Sequence, residues 1–266
     1  MATAFSENLT AEQQSQVLQL FQQFQHPTLQ KDLIELKTLK KVEKGGDVLR
    51  IELQLPFAWN TGVEQVKQQL SDALLKATDS KEIKWVVNYQ IATLKRANNQ
   101  PAVKGVKNII AVTSGKGGVG KSSVSVNLAL ALQAQGARVG ILDADIYGPS
   151  IPHMLGAPHQ RPTSPDNQHI TPIKAYGLSA NSIGFLMDED NATIWRGPMA
   201  SSALSQLLNE TLWDSLDYLV IDMPPGTGDI QLTLSQQIPV TGAVVVTTPQ
   251  DIALLDAVKG VSMFER

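Results

Sequence analysis

The sequence predicts an α/β protein in which a mostly parallel sheet is covered by helices and is preceded by a small α+β domain. From residue 108 onward, short apolar runs alternate with helical stretches, which is typical of parallel strands buried on both faces. Before that point apolar and polar residues alternate, as in a sheet with one face in water. We expect domains over residues 1–95 and 108–266, joined by a linker over residues 96–107.

The first domain is predicted to have the element order α-β-β-α-β. Thr10 and Gln13 fit a capping box at the start of a helix. The stretch VLRIELQL alternates strictly and predicts a half-buried strand, and KGGD before it is typical of a hairpin turn. A second helix and a further strand follow, and the polar segment RANNQPAVKG has the composition of a linker.

The second domain begins with the apolar run NIIAVTS, which predicts a buried strand. A mostly apolar helix follows, and three further apolar runs are separated by helical stretches: RVGILDAD, DYLVID and GAVVVTT. Ligands of such open α/β sheets bind at the carboxyl ends of the strands. We therefore expect the functional residues of this domain to follow these runs.

Composition and charge exclude several classes of protein. Residues 1–107 carry 14 Lys and Arg against 11 Asp and Glu, and residues 108–266 carry 8 against 14, so neither half is basic enough for a nucleic-acid surface. No apolar run approaches the roughly 18–20 residues that span a bilayer. The N-terminal residues lack the features of a signal peptide. We expect a cytoplasmic protein with neither nucleic acid nor a membrane as partner.

A glycine-rich loop after NIIAVTS matches the phosphate-binding pattern G-x-x-x-x-G-K-[ST] between a strand and a helix. Glycines let the backbone wrap closely around an anion, and the start of the following helix binds phosphate. Lys121 is predicted to reach the β- and γ-phosphates, and the Ser122 hydroxyl to bind Mg²⁺. The residues predicted to bind nucleotide in this loop are Gly115, Lys116, Gly117, Gly118, Val119, Gly120, Lys121 and Ser122.

Acidic residues at two strand ends complete the predicted site. Asp222 ends DYLVID and is expected to hold the Mg²⁺ shell. Gly226, in the turn that follows, is expected to sense the γ-phosphate through its N–H. Asp143 and Asp145 should both face the nucleotide, and Asp145 is predicted to orient or activate the attacking water. For Asp222 and Asp145, a role as a helix cap or loop residue is the alternative.

The loop carries a second lysine, Lys116, whose side chain should point away from the phosphates that Lys121 holds. A lysine there can neutralise charge on a neighbouring subunit's nucleotide, as an arginine finger does in trans. The loop GKGGVGKS resembles the deviant Walker A signature of the family containing nitrogenase iron protein and the septum-site and plasmid-partition ATPases. In that family the signature lysine crosses a nucleotide-sandwich dimer. The resemblance therefore implies a homodimer in which Lys116 acts across the interface; the alternative for Lys116 is a solvated loop residue. With Lys121 of the phosphate loop and Asp145 at the strand end, Lys116 completes the set of predicted catalytic residues.

Longer segments narrow this resemblance to the Mrp/ApbC family of iron–sulfur cluster carrier ATPases. It implies ATP and Mg²⁺ as cofactors, a [4Fe–4S] cluster, and apo iron–sulfur proteins as partners. The N-terminal segment, including HPTLQKDL, is similar to the MIP18-type domain found in front of many members. The segments that resemble the family are DADIYGPSIP (143–152), IWRGPM (194–199), DMPPGTGDIQLTL (222–234) and TTPQDIALLDAVKGVSMF (247–264).

The cluster ligands expected from this resemblance are missing from the sequence. Members of the family continue beyond this point, and the continuation carries a C-x-x-C pair that ligates the cluster across the dimer. The 266 residues contain no cysteine, and iron–sulfur clusters need soft thiolates, so we expect no cluster ligand here. A parallel sheet ending after GAVVVTT and one helix would also leave an apolar edge uncovered. We therefore expect a fragment or a shortened gene product.

Two other functions stay open at this point. The chain could be an ATP-driven dimerisation switch of the septum-site or partition type, which would need a membrane-seeking helix or a basic dimer face. If the chain truly ends at Arg266, it could instead be a non-catalytic adaptor that acts through its first domain. Co-sedimentation with lipid vesicles or DNA separates the first possibility from a cluster carrier, and a nucleotide titration tests the second.

Overall fold

A computed structural model of the chain describes residues 3–186 and 197–264. These residues fall into two compact units, residues 1–92 and 93–266. Part of the segment IWRGPM, residues 194–196, lies outside the described residues, as does Arg266. Within the described ranges, no helix is long and apolar enough to cross a membrane.

The first unit combines a four-stranded sheet with two helices that share one apolar core. Its elements are β1 (Ala4–Phe5), α1 (Ala11–Gln23), β2 (Leu39–Gly45), β3 (Val48–Leu55), α2 (Asn60–Thr78) and β4 (Glu82–Tyr89). The strand order is β1-β2-β3-β4, with β2 and β3 antiparallel and the other neighbours parallel. The sheet buries the apolar residues of β3 that the strict alternation predicted.

Two local predictions for this unit are confirmed. The hairpin joins β2 to β3, with Gly45 opposite Val48 and Gly46 in the turn at a φ of +60°, a conformation that glycine adopts without strain. The capping box is formed as well, since the Gln13 N–H donates to the Thr10 hydroxyl at 3.2 Å and the Thr10 N–H to the Gln13 side chain at 3.0 Å. Strand β1 was not predicted, because a strand of two residues is too short to show an alternation of apolar and polar residues.

The second unit is an α/β layer structure, which confirms the predicted fold class. Its elements are β5 (Val106–Ser114), α3 (Lys121–Ala134), β6 (Val139–Asp143), α4 (Ile151–Met154), β7 (Ile173–Ala175), β8 (Leu178–Ser182), α5 (Gly197–Asn209), β9 (Leu216–Asp222), α6 (Asp229–Gln237), β10 (Gly242–Val246) and α7 (Asp251–Phe264). In the described part of the chain the strand order is β10-β5-β9-β6-β8-β7, and only β7 runs antiparallel to its neighbour. The hairpin of β7 and β8 was not predicted, because these strands are short and contain small polar residues.

The strand order determines where the functional residues meet. Strands β5, β9 and β6 are consecutive neighbours and parallel, so their carboxyl ends lie at the same edge of the sheet. Asp222 at the end of β9 is in register with Asp143 at the end of β6 and with Val112 near the end of β5. The loop after β5 and the acidic residues after β9 and β6 therefore come together at one place.

Part of the stretch predicted as a linker is anchored on the second unit. The Ala97 N–H donates to the carbonyl of Val240 at 2.8 Å, and the Asn98 side chain donates to the carbonyl of Ile238 at 2.8 Å. Val103 packs in the core of the second unit. Backbone groups bonded in this way cannot move as a free tether.

Aromatic rings pack around His26 in the first unit. The imidazole lies 4.4 Å from the ring centre of Trp59 and 5.2 Å from that of Phe57. Its Nδ1 accepts the backbone N–H groups of Thr28 and Leu29 at 3.2 and 3.1 Å. A ring nitrogen that accepts hydrogen bonds carries no proton, and burial lowers the pKa of His26 below its ordinary value.

We predict that the stabilising contribution of His26 is lost as the pH falls below about 6.5. Because the pKa of His26 is lower in the folded state than in the unfolded state, its contribution is present above the unfolded value and is lost as the pH falls through the folded value. The loss should be about 1–2 kcal/mol, the worth of two hydrogen bonds.

Urea unfolding on either side of that pH checks this prediction. The variant His26→Asn keeps an acceptor but does not titrate, so on going to the lower pH its free energy of unfolding should rise relative to that of the unmutated chain. Equal losses in the two proteins would contradict the role given to His26.

Candidate nucleotide-binding site

The loop between β5 and α3 has the backbone that its glycines predicted. Gly118 and Gly120 have φ angles of +78° and +92°, a region that L residues rarely adopt. Helix α3 begins at Lys121, directly after this turn. The first N–H groups of a helix have no partner within it, so the loop and the helix start together present donors suited to an anion.

The earlier glycines of the loop serve different purposes. A Cβ at Gly115 would lie 2.5 Å from the Cβ of Asp256 in α7 and 2.7 Å from its carbonyl carbon, so only glycine allows this close approach of helix and loop. At Gly117 the nearest atom would be the Cγ of Pro225, 4.0 Å away, which is ordinary contact. Val119 is half-buried between the two glycines with positive φ.

Three side chains of α3 converge on one carboxylate at the end of β9. Asp222 is fully buried, and its Oδ1 lies 2.8 Å from the Nζ of Lys121. The hydroxyl of Ser122 donates to Oδ2 at 2.6 Å. The hydroxyl of Ser125 donates to Oδ1 at 2.7 Å. Ser125 was not predicted from the sequence, although its position three residues after Ser122 places both on one face of the helix.

Asp145 joins this centre from the loop after β6. Its Oδ2 lies 3.3 Å from the Nζ of Lys121, so the ammonium bridges Asp145 and Asp222. The Oδ1 of Asp145 accepts the N–H of Tyr147 at 3.2 Å, which fixes the carboxylate in the turn. Burial raises the pKa of Asp145, and the charge of Lys121 opposes this shift.

Asp143 does not meet the expectation that it faces the nucleotide. Its Oδ1 accepts the N–H of Asp145 at 3.1 Å, and its Oδ2 accepts the N–H of Ile151 at 3.0 Å and the hydroxyl of Ser182 at 3.2 Å. Burial and the nearby charge of Asp222 raise the pKa of Asp143 to about 7. Since both oxygens hold the loop after β6, Asp143 shapes the site without opening onto it.

Gly226 also differs from its predicted role. Its N–H, expected to sense the γ-phosphate, donates to the carbonyl of Ser114 at 2.7 Å. The residue has a φ of +104°, so the turn depends on glycine here. In this arrangement Gly226 ties the turn after β9 to the end of β5, and its donor is not available to a phosphate.

The two lysines of the loop lie in opposite environments. Lys121 is buried and forms two ion pairs with carboxylates. Lys116 is exposed, and within the described part of the chain its ammonium takes part in no ion pair. Its carbonyl accepts the Ser114 hydroxyl at 2.8 Å, so the backbone is held while the side chain reaches solvent.

The oxygen donors at this centre fit Mg²⁺. A hydroxyl and a carboxylate in direct contact, Ser122 and Asp222, are the hard ligands that Mg²⁺ prefers, and it commonly completes its shell with phosphate oxygens and water. In residues 3–186 and 197–264, no group of three or more His, Cys, Asp or Glu side chains could hold a metal ion. The donor set therefore suits a cation that arrives with a phosphate ligand.

Comparison with known proteins decides the family. A model of the ParA family, described as NUBPL iron-transfer P-loop NTPase, matches residues 105–266. This chain belongs to that family. An iron-sulfur cluster carrier protein of Haemophilus influenzae is 90% identical over all 266 residues, which are 72% of its length. One of Escherichia coli K12 is 66% identical over 243 residues, 91% of this chain and 66% of the relative.

A solved structure supports the same assignment. A nucleotide-binding protein from Archaeoglobus fulgidus in complex with ADP is 39% identical, with a TM-score of 0.54 over 61% of this chain and 63% of that one. The family model and the curated relatives confirm the resemblance to the iron–sulfur cluster carriers, and this structure agrees with their P-loop fold. The chain therefore has the fold of a P-loop NTPase, with its phosphate loop where that fold requires one.

We predict that Gly115→Ala destabilises the chain and that Gly117→Ala does not. The first change places a methyl group within 2.5 Å of Asp256 and forces α7 away, which should cost about 1–3 kcal/mol. The second adds the same atom where the nearest neighbour is 4.0 Å away. Thermal unfolding of both variants checks this. A Gly115→Ala chain as stable as the Gly117→Ala chain would show that α7 does not press on the loop.

Proposed function

We propose that this chain is the ATP-dependent part of an iron–sulfur cluster carrier. It binds ATP with Mg²⁺ as a homodimer, hydrolyses the nucleotide and passes clusters, as cargo, to apo iron–sulfur proteins. The observation that carries the nucleotide half is the contact of Lys121 and Ser122 with the buried carboxylate of Asp222, directly behind a glycine-rich loop. The proposed transfer of clusters rests on the family and on the name that the relatives share.

Phosphate binding requires Lys121 to exchange partners. Its ammonium pairs with Asp222 and Asp145, and the β- and γ-phosphates would take over part of that charge. Ser122 and Asp222 would hold the Mg²⁺. The bound cation would neutralise charge on the phosphates. The N–H groups of the loop and of the first turn of α3 orient the phosphate chain.

Asp145 is the residue proposed to orient or activate the attacking water. Its carboxylate lies beside Lys121 and therefore next to the position that the transferred phosphate would occupy. Burial makes it a better proton acceptor than a solvated aspartate, because it raises the pKa of the group. Its turn, held by the N–H of Tyr147, fixes the direction in which the oxygen points.

Lys116 is proposed to act on the nucleotide of the second subunit. The side chain is exposed at the carboxyl edge of the sheet and forms no ion pair among the described residues. An ammonium that is free at this edge can reach a nucleotide bound across a dimer interface, where it would neutralise charge that develops during hydrolysis.

The iron–sulfur cluster would be held by residues outside this sequence. The 266 residues contain no cysteine, and no other side chain provides the thiolates that a cluster needs. The nucleotide site described here and the cluster ligands are therefore separate parts of the proposed carrier.

We predict that Lys116→Ala and Lys121→Ala fail at different steps. Loss of Lys121 removes the ligand of the phosphates, so nucleotide affinity and hydrolysis should both fall by two orders of magnitude or more, as is usual for a lost charged contact of this kind. Loss of Lys116 should leave the affinity of a monomer for ATP nearly unchanged while hydrolysis falls about 10³-fold.

A titration with a fluorescent ATP analogue and a phosphate-release assay separate these steps. Mixing Lys116→Ala with a chain that cannot bind nucleotide, Lys121→Ala, provides the control. If Lys116 acts in trans, the Lys121→Ala subunit should restore part of the hydrolysis by supplying Lys116 to the nucleotide of its partner. No gain in the mixture would argue for a role within one subunit.

We also predict that these 266 residues retain no cluster after anaerobic reconstitution with iron and sulfide. The expected result is an iron content near background and no absorbance in the visible region after desalting, because the thiolate ligands are absent. A stable, stoichiometric cluster on this chain would contradict the separation of the two sites.

A further inference from the structure

Ser125 is buried in the site without belonging to the phosphate-binding motif. It lies in α3, one turn after Lys121, and its side chain has no solvent exposure. Its Oγ lies 2.7 Å from the Oδ1 of Asp222 and 3.1 Å from the carbonyl oxygen of Lys121. A hydroxyl has one proton, so it donates to one of these acceptors at a time, and the shorter distance favours Asp222.

The Oδ1 of Asp222 therefore has two donors, and one of them has another task. Lys121 donates to this oxygen at 2.8 Å, but in the proposed function the same ammonium must turn toward the phosphates. Ser125 would then be the donor that stays on Oδ1. A buried carboxylate oxygen left without a donor is costly, because it has neither water nor protein to stabilise its charge.

The two oxygens of Asp222 are also divided between two serines. Ser122, itself a proposed ligand of the cation, contacts Oδ2. Ser125 contacts Oδ1 on the other side of the carboxylate. Fixing Oδ1 prevents the carboxylate from rotating about its terminal bond, a torsion that is otherwise soft. The orientation of Oδ2 toward Ser122 then persists whether or not Lys121 is present on Oδ1.

We propose that Ser125 is a positioning residue that holds the Asp222 carboxylate toward the cation while Lys121 is engaged with phosphate. This inference rests on the proposed function, since it assumes that Lys121 and Asp222 serve nucleotide and Mg²⁺. The phosphate-binding motif does not contain Ser125, and the proposal assigns Ser125 to the part of the site that would bind the cation.

A purely structural serine would behave differently. Ser235 in α6 is buried as well, and among the described residues its hydroxyl bonds only to the carbonyl of Leu232 in its own helix. The variant Ser235→Ala is therefore a matched control for the loss of a buried helical hydroxyl. A role limited to the Lys121 carbonyl would make Ser125 equivalent to this control.

The experiment measures the affinity of a fluorescent ATP analogue in Mg²⁺ and in EDTA for the unmutated chain, Ser125→Ala and Ser235→Ala. We expect Ser125→Ala to lose affinity about tenfold or more in Mg²⁺, the effect of one hydrogen bond to a charged group, and to change little in EDTA. Ser235→Ala should bind normally in both. Unchanged affinity of Ser125→Ala in Mg²⁺, or an equal loss with and without the metal, would overturn the proposal.

Two further variants keep the test decisive. Ser125→Cys has a weaker donor of similar size and should give an intermediate loss in Mg²⁺, so the comparison can be made even where the alanine variant does not fold. Lys121→Ala tests the proposed function itself. Normal nucleotide binding by Lys121→Ala would reject the site, whereas its failure combined with normal binding by Ser125→Cys would reject only the role of Ser125.

Discussion

The buried carboxylate of Asp222 is the group around which the nucleotide site is organised. It is fully buried together with Asp143, and Asp145 and Lys121 are nearly so, which leaves one ammonium among three acidic side chains. A buried charge without compensation costs several kcal/mol, and burial together with the nearby charge of Asp222 raises the pKa of Asp143 to about 7. A bound divalent cation would offset the excess of negative charge. The same electrostatic imbalance explains why Lys121 is held by two carboxylates at once.

The sheet delivers this arrangement through strand order rather than through contacts along the chain. Lys121 and Asp222 are about a hundred residues apart in sequence, yet β5 and β9 are adjacent and parallel, so their ends coincide. Close packing then fixes the position of each loop relative to its neighbouring strand or helix. Gly115 admits α7 against the phosphate loop, and Gly226 pulls the turn after β9 onto the end of β5. Each of these loops is therefore tied to a neighbouring strand or helix.

The features that could be predicted from the sequence depend on local interactions, and the features that were missed depend on interactions between residues distant in sequence. The phosphate loop, the hairpin at Gly46 and the capping box at Thr10 are local, and a pattern of a few residues specifies them. The groups that were misassigned or missed depend on partners that are distant in sequence. Asp143 turns to Ser182, Gly226 bonds to Ser114, and Ser125 reaches Asp222. A strand end indicates that a side chain is near the site, but only tertiary structure decides which acceptor or donor it meets first.

The two lysines of the phosphate loop, Lys121 and Lys116, also differ in their environments. One glycine-rich loop holds two ammonium groups five positions apart, one of them buried and the other exposed. Lys121 is enclosed with two carboxylates and can leave them only for a ligand of comparable charge, such as a phosphate. Lys116 has no such partner among the described residues and loses little solvation where it is. A single loop can therefore bind the phosphates of its own nucleotide and still present a positive charge to another, which is what a symmetric dimer with two nucleotides would use.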